Sequence, residues 1–388
     1  MATQRVCDAM LPELSRAFSV SLAQAAQVVS VFAVVYGLSQ LFYGPLGDRM
    51  GKFRVVTYAT MACSVGSVVA LVATSLNMLV AARVLVALGA AALIPLSLAW
   101  VGDSVRYEQR QETLARLSVG STLGIVGGQL LGGVFSDTLG WRWAFAFMTV
   151  LFAVVGLLLL TDLRRQQAAT AMARAPAKSQ PGTESKNAPQ LGFVARAVGI
   201  VTGPWSRVVL FVSFVEGAAG FGVLAIWATH LHEQLALSLS ASGGIVALFG
   251  LGGMLYMVFA RWLIPRLGEG GLALLGGAVM AVFAAVLAFS KFWWLDLPAS
   301  LLAGFGFFMF HNTMQTNATQ MAPQARGTGV SLFSAFLFMG QSAGVLAAAA
   351  LVGRLGSALT IALGGVAVLA ISVYFSRALR RRHLLMAG

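Results

Sequence analysis

Long apolar runs alternate along this chain with short polar breaks, and each run is about as long as a helix must be to cross a bilayer. At about 20 residues per span, the pattern predicts five helices, near 25–46, 55–74, 78–101, 113–136 and 142–161. Residues 162–205 then turn polar, with Arg164, Arg165, Arg174, Lys178, Lys186 and Arg196 among Ala, Pro, Gln and Ser. This predicts a flexible linker with a short surface helix near 191–199. Six more spans follow, near 206–229, 241–263, 270–290, 296–320, 328–352 and 357–378. Cations fill alternate breaks: Arg49, Lys52 and Arg54, then Arg106, Arg110 and Arg116, then the linker, Arg261 and Arg266, Arg326, and finally Arg377 and Arg380 to Arg382. Short loops rich in Lys and Arg stay in the cytoplasm. The linker and the C-terminus are therefore expected there, and residues 1–24 outside.

Composition agrees with a polytopic membrane protein. Of 388 residues, 58% are hydrophobic and 10% charged, against roughly 25% charged in soluble domains. The net charge of +13 sits in the breaks and at the C-terminus, where it sets orientation and meets anionic lipid. No nucleic-acid partner is implied. Cys7 and Cys63 lie far apart without a CxxC spacing, which supports neither a disulfide framework nor a zinc site. Residues 1–16 hold Arg5, Asp8, Glu13 and Arg16 and no apolar core, unlike a cleavable signal. No H-E-x-x-H, nucleophile elbow or phosphate loop occurs, so no enzyme and no cofactor is expected. His230 and His232 form an H-x-H without further ligands, and no metal site is expected.

The densest charge cluster between two apolar runs is GPLGDRMGKFR, from Gly44 to Arg54. Its Gly44, Leu46, Asp48, Arg49, Gly51, Lys52 and Arg54 closely resemble the loop between helices 2 and 3 of major facilitator superfamily transporters. The resemblance implies an all-α membrane protein of two pseudo-symmetric six-helix bundles that works by alternating access. The expected division is an N-terminal bundle over 1–161, a cytoplasmic linker over 162–205 and a C-terminal bundle over 206–388. The superfamily has twelve spans, whereas eleven are counted here. The second part, 388 − 205 = 183 residues, exceeds the first by 22, about one span. Residues 5–14 resemble the outer end of helix 1. A chain that begins inside helix 1 through a mis-assigned start codon is one explanation, and a natural eleven-span form is the other; if helix 1 is truly absent, a non-transporting membrane protein enters as an alternative. Numbered as in the family, the complete spans are helices 2 to 12. Arg266, Leu267 and Gly268 fall between helices 8 and 9 where Arg49, Met50 and Gly51 fall between helices 2 and 3.

Several polar groups lie inside the predicted spans. Arg83 sits about five residues inside helix 4, where a full-depth Arg costs roughly 2.5–3.5 kcal/mol; it either faces a cavity or partner, or snorkels to the surface. With Leu79, Gly89, Ala90 and Ala91 it resembles the family's helix 4 signature, although Val86 and Ala87 replace a Gln and a Gly. At the other end of that helix Asp103 is expected to receive Arg49 or a neighbouring helix end as an inner latch. In helix 5, Gly120, Gly124, Gly128 and Gly132 recur every four residues with Gly127 and Gly133 beside them, a side-chain-free ribbon for close approach of a helix from the other half. The stretch GIVGGQLLGG, 124–133, resembles the signature of drug:proton antiporters, with Gln129 in place of Pro; Gln129 could bind solute or a facing helix.

Glu216 in helix 7 lies about ten residues from the cytoplasmic end, near the midplane, where a carboxyl can exchange a proton or remain a paired structural acid. In helix 10, His311, Asn312, Gln315 and Thr319 share one face; His311 is either a strut or a proton carrier. Tyr36, Gln40 and Tyr43 form a stripe on helix 2, and Gln341 and Ser342 lie mid-span in helix 11. In the family, helices 1, 4, 7 and 10 line the cavity, and Asp8, Arg83, Glu216 and His311 place one ionisable residue on each. The resemblance therefore implies proton-coupled efflux of small amphipathic molecules, with Glu216, Asp8 and His311 as proton candidates and Arg83, Tyr36, Gln40, Gln129, Asn312, Gln315 and Gln341 as cavity candidates. The partners implied are a small-molecule solute, protons and the lipid bilayer, in a bacterial inner membrane, as a monomer. Import or facilitation of a metabolite is the alternative.

Overall fold

The computed structural model describes residues 1–173 and 193–387, which are almost wholly helical. Three short N-terminal helices, α1 (Ala2–Arg5), α2 (Leu11–Ala17) and α3 (Leu22–Ala25), lead into α4 (Gln27–Met50), α5 (Lys52–Leu71), α6 (Leu76–Ser104), α7 (Tyr107–Thr138) and α8 (Trp141–Ala173). The second part holds α9 (Phe193–Thr202), α10 (Pro204–Glu216), a π-helical stretch (Gly217–Gly222), α11 (Trp227–Leu235), α12 (Leu239–Phe289), α13 (Trp293–Gln320), α14 (Arg326–Leu355) and α15 (Ser357–Ala387). Among the described residues, ten helices are long and apolar enough to cross a membrane. One of them, α12, has 51 residues and would run about 77 Å if straight, far beyond one hydrocarbon core. Its backbone leaves the helix at Gly268 (φ 59°, ψ 175°), so it is two rods, and the spans number 10 + 1 = 11, as the hydrophobic pattern predicts.

Polar caps start several of these rods. Ser75 accepts a hydrogen bond from Met78 N at 3.2 Å, Ser238 from Ala241 N at 3.1 Å, and Ser21 and Gln24 form a reciprocal capping box. Each serves amides that the helix itself leaves unpaired. Large apolar side chains such as Phe42, Val65, Val150, Val258 and Val366 stand exposed along the rods, the surface that lipid must cover.

The charged cluster after the first full span is more helical than its composition suggests. Gly44 to Met50 continue α4, Lys52 opens α5, and Gly51 alone breaks the path, at φ 89°. Only a residue without Cβ takes that dihedral freely. Gly268 repeats the device in the second half, so the three-residue sequence echo marks equivalent turns. The next residue is used equivalently too: Lys52 pairs with Asp103 at the end of α6, and Glu269 accepts a hydrogen bond from Asn317 near the end of α13 at 3.0 Å. These two turns mark one end of the molecule, the loop end.

Residues 162–173, expected in the linker, instead extend α8 to Ala173. The run QQAATAMA is Ala-rich and strongly helix-forming, and being polar does not stop a helix. The expected surface helix is α9, and the middle of the expected linker, 174–192, lies outside the described residues.

Glycines set the closest helix packing in the second half. A Cβ on Gly217 would strike the Leu337 carbonyl, one on Gly340 the Phe214 backbone, and one on Gly344 the Ala218 backbone. α14 thus lies backbone to backbone on α10 and the π-helical stretch, a small-residue packing of the kind membranes favour. Gly344→Ala is expected to cost about 1–3 kcal/mol through overpacking, read as a lower thermal midpoint in detergent. Gly353→Ala, whose Cβ would meet nothing within 4 Å, is expected to leave the midpoint unchanged or slightly raised.

Candidate functional site

Polar groups gather at the seam between the two halves, about midway along the rods. On the C-terminal side Glu216, fully buried at the end of α10, meets His311 of α13, with Nδ1 2.9 Å from Oε1. The backbone widens into the π-helical stretch directly after Glu216; such insertions recur at functional sites. Phe307 stacks on the His311 ring at 5.8 Å, and Phe221, Phe308 and Phe333 crowd it. On the N-terminal side Arg5 Nη1 and Gln129 Nε2 both reach Asp8 Oδ2, each at 3.1 Å. All three side chains are buried. Arg5 also lies over the Phe221 ring, 4.6 Å from its centroid. Phe221 therefore touches both charged groups, through Arg5 of the one and His311 of the other.

Arg83 completes the N-terminal side. It is fully buried, donates to Thr3 Oγ1 at 3.2 Å and to the Val28 carbonyl at 3.4 Å, and stacks over Phe32 at 4.0 Å. The surface-snorkelling reading is excluded. Several buried polar atoms here find no protein partner: Glu216 Oε2, Asp8 Oδ1, Arg83 Nη2, Gln129 Oε1 and both amide atoms of Gln341. Such atoms are costly to leave unpaired, and they give the seam unused donors and acceptors of both kinds.

The seam is tight at one end and loose at the other. Away from the loop end, Ser30 Oγ of α4 contacts Ser342 Oγ of α14 at 2.7 Å. Asp137 of α7 accepts from Leu239 N at 3.1 Å and from Ser240 N and Oγ at 2.6 Å, capping the start of α12. Gly37 and Gly133 meet the opposite half at backbone range, through Ala335 and Leu239. Toward the loop end the contact thins. Gly44 and Gly120 have nothing within 4 Å of a Cβ position. An apolar groove of about 490 Å³ between Val119 and Thr122 of α7 and Leu251, Met254 and Val258 of α12 opens onto the lipid-facing surface, and of α4 Leu41 still packs against the cluster of Ile200, Leu210 and Leu332. Gln315, Thr316 and Thr319 of α13 are exposed on that side.

Several expected site residues are used differently from their sequence reading. The glycine ribbon of α7 serves mostly its own half: Gly124, Gly128 and Gly132 receive the backbones of Met1, Ala2 and Val6, and of the ribbon only Gly133 meets the opposite half, at Leu239 and Ser240. The N-terminal segment, not a helix of the other half, lies in that face. Of the two partners expected for Asp103, Arg49 or a neighbouring helix end, the second forms: Lys52, the first residue of α5, pairs with it, and Asp48 adds a 3.9 Å contact to the same ammonium. Gln129 binds Asp8. The helix 2 stripe divides, with Tyr36 packed between Phe32 and Phe338, while Tyr43 reaches the Leu88 carbonyl. Asn312 is bonded to Tyr256 at 3.3 Å and Gln315 is exposed, so the helix 10 stripe divides as well. His230 and His232 turn to separate partners, Ser357 and the Leu237 carbonyl.

Arg5, Phe221, Ser30 and the π-helical stretch were not among the sequence candidates. Arg5 carried a signal, since Asp8 lies at i+3 on a helical path. Ser30 and Ser342, 312 positions apart, carried none.

Two helical bundles meeting at a polar seam that is closed at one end define a membrane solute transporter. The chain belongs to the Major Facilitator Superfamily, whose family model matches residues 3–345. Among solved structures, it aligns with nucleoside transporter NupG over 97% of each chain at a TM-score of 0.75 and 11% identity. It aligns also with a bacterial homolog of the human lysosomal transporter Spinster, in an inward-facing and unoccupied conformation, at a TM-score of 0.70 and 17% identity, covering 97% of this chain and 92% of that one. Identities this low show the fold alone. Among sequence relatives, an MFS-type transporter of Bacillus subtilis (strain 168), YwfA, is 23% identical over 296 residues, 76% of this chain and 68% of that protein. Multidrug export protein EmrB of Escherichia coli (strain K12) is 29% identical over 165 residues, 42% of this chain but only 32% of the exporter.

Proposed function

We propose that this transporter exports small amphipathic molecules in exchange for protons, by alternating access in a bacterial inner membrane. The observation that carries the reading is the pair of buried carboxyl groups, Glu216 with His311 and Asp8 with Arg5 and Gln129, whose partners His311 and Arg5 share the neighbour Phe221 at the seam. Ionisable groups buried within a membrane-spanning bundle mark ion and proton pathways. Solute that enters the seam competes for the same unpaired atoms, which links solute release to proton uptake. The loop end is the cytoplasmic one, because Lys52, Arg54, Arg266, Arg326 and Arg380 to Arg382 lie there. The conformation described is then open to the cytoplasm. The bundles over 1–161 and 206–388 rock as units joined by 162–205, and the protein works as a monomer. Lys52, Asp48 and Asp103 form the N-terminal side of a gate that closes when the loop end shuts. The resemblance to a multidrug export protein supports the direction of transport.

A second reading, uptake or facilitation of a metabolite, draws support from Gln129, which stands where antiporters resembling this chain carry Pro, and from a 25% identity over 130 residues to riboflavin transporter RibZ of Clostridioides difficile (strain 630). Proteoliposomes with an imposed pH gradient separate the two. Antiport predicts movement of amphipathic dyes that follows the gradient and a matching proton flux. Riboflavin equilibrating down its own gradient, indifferent to pH, with no dye movement, is the result that would favour facilitation.

A further inference from the structure

At the loop end, the start of α10 and the end of α15 enclose a groove of about 520 Å³. Its rim is cationic: Arg377 and Arg381 are exposed and Arg382 is half-buried. Arg382 is held in place, because its guanidinium lies over the Trp205 ring at 4.4 Å and Trp205 in turn stacks on the fully buried Phe375 at 5.9 Å. Among the described residues, none of these three arginines makes an ion pair. The sequence has no Asp or Glu after Asp296, which lies in the first turn of α13, so α14 and α15 carry no acid to answer them. Deeper in the bilayer the wall turns aromatic. Phe211 and Tyr374, both about half exposed, pack edge to face at 6.2 Å, with Tyr374 roughly 5–12 Å along α15 from the arginines at 1.5 Å per residue.

We propose that this groove is a binding site for the phosphate headgroup of one anionic phospholipid, with Arg377, Arg381 and Arg382 on the phosphate and Phe211 and Tyr374 against its acyl chains. Charge complementarity selects the occupant: three guanidiniums without an ion-pair partner among the described residues, at a membrane face, fit a phosphodiester whose tails point toward the midplane. A soluble anion lacks the apolar part that the aromatic wall would cover. The stack of Phe375, Trp205 and Arg382 separates this site from a merely basic surface, because it fixes one guanidinium before lipid arrives. A bound headgroup bridges the helix that carries Glu216 and the last helix of the bundle.

The test is native mass spectrometry of the full chain with added phosphatidylglycerol or phosphatidylcholine of identical acyl chains. The wild type is expected to hold one phosphatidylglycerol at least about tenfold more tightly than phosphatidylcholine. At about fivefold per arginine near the surface, R377Q/R381Q/R382Q is expected to remove that preference. R261Q/R266Q, which removes charge elsewhere at the same end, is expected to keep it. R382K preserves charge but not the planar stack, and is expected to lose several-fold. Equal adducts of both lipids on the wild type would overturn the proposal, as would equal losses in R261Q/R266Q and the triple variant, or an R382K indistinguishable from wild type.

Discussion

Replacing Glu216 by Gln is expected to reduce pH-gradient-driven solute movement in proteoliposomes to the level of protein-free vesicles, while the protein still purifies as a folded species. Gln is nearly isosteric and its carboxamide oxygen can still accept from His311, so the 2.9 Å contact survives when the imidazole donates. What Gln cannot do is gain or lose a proton. Stability is therefore expected to stay within about 1 kcal/mol of wild type, and solute exchange between equal pH on both sides is expected to persist, because binding and rocking do not need the charge change. A variant that retains full gradient-driven flux would remove Glu216 from the coupling step. One that fails to fold would show the carboxylate to be a structural acid.

Asp8→Leu is expected to have the largest effect on stability. Arg5 and Asp8 have side-chain exposures of only 2% and 1%, so removing the carboxylate strands a buried guanidinium and deprives Gln129 Nε2 of its acceptor. Breaking a buried pair from one side costs about 3–5 kcal/mol. The double variant Arg5→Met, Asp8→Leu removes both charges and is expected to recover most of the loss, since apolar replacement of a whole buried pair is often neutral or stabilising. Thermal midpoints in detergent measure the cycle. Transport by the recovered double variant then separates two roles: a pair that only holds the N-terminal segment against α7 would leave coupled flux intact, whereas a proton-carrying Asp8 would leave the protein stable and uncoupled.

The rods were legible because apolar length is a local property, and all eleven appear where the hydrophobic runs lie. The turns at Gly51 and Gly268 were legible for a related reason, since a positive φ beside a cluster of charges leaves glycine in the sequence. Relations between rods were harder. Asp103 could be assigned Arg49 or a neighbouring helix end but not one of the two, because choosing Lys52, the first residue of α5, depends on where the helix resumes after Gly51. The ribbon of α7 announced close packing, but the expected partner, a helix of the other half, meets it only at Gly133, and the rest of the face receives the N-terminal segment. GAAGFG reads as a glycine-rich piece of ordinary helix; its π-helical winding depends on the tight fit of Gly217 and Gly222 against α14. Glu216 and His311 were chosen singly, and their contact rests on how α10 and α13 cross.

α14 has a neighbour on each flank that constrains what it can do. One flank presents Gly340 and Gly344 to the chain just before and after Glu216, so closely that no side chain separates them; the other offers Ala335, Phe338 and Ser342 to Gly37 and Ser30 across the seam. Two backbones in such contact cannot slide independently, so a tilt forced on α14 by the partner bundle is passed to the segment holding the carboxyl. In the proposed transport cycle the rod would act as a rocker arm: separating Ser30 from Ser342 at one flank would swing Glu216 at the other, so the proposed coupling carboxyl would be mechanically informed of which door stands open.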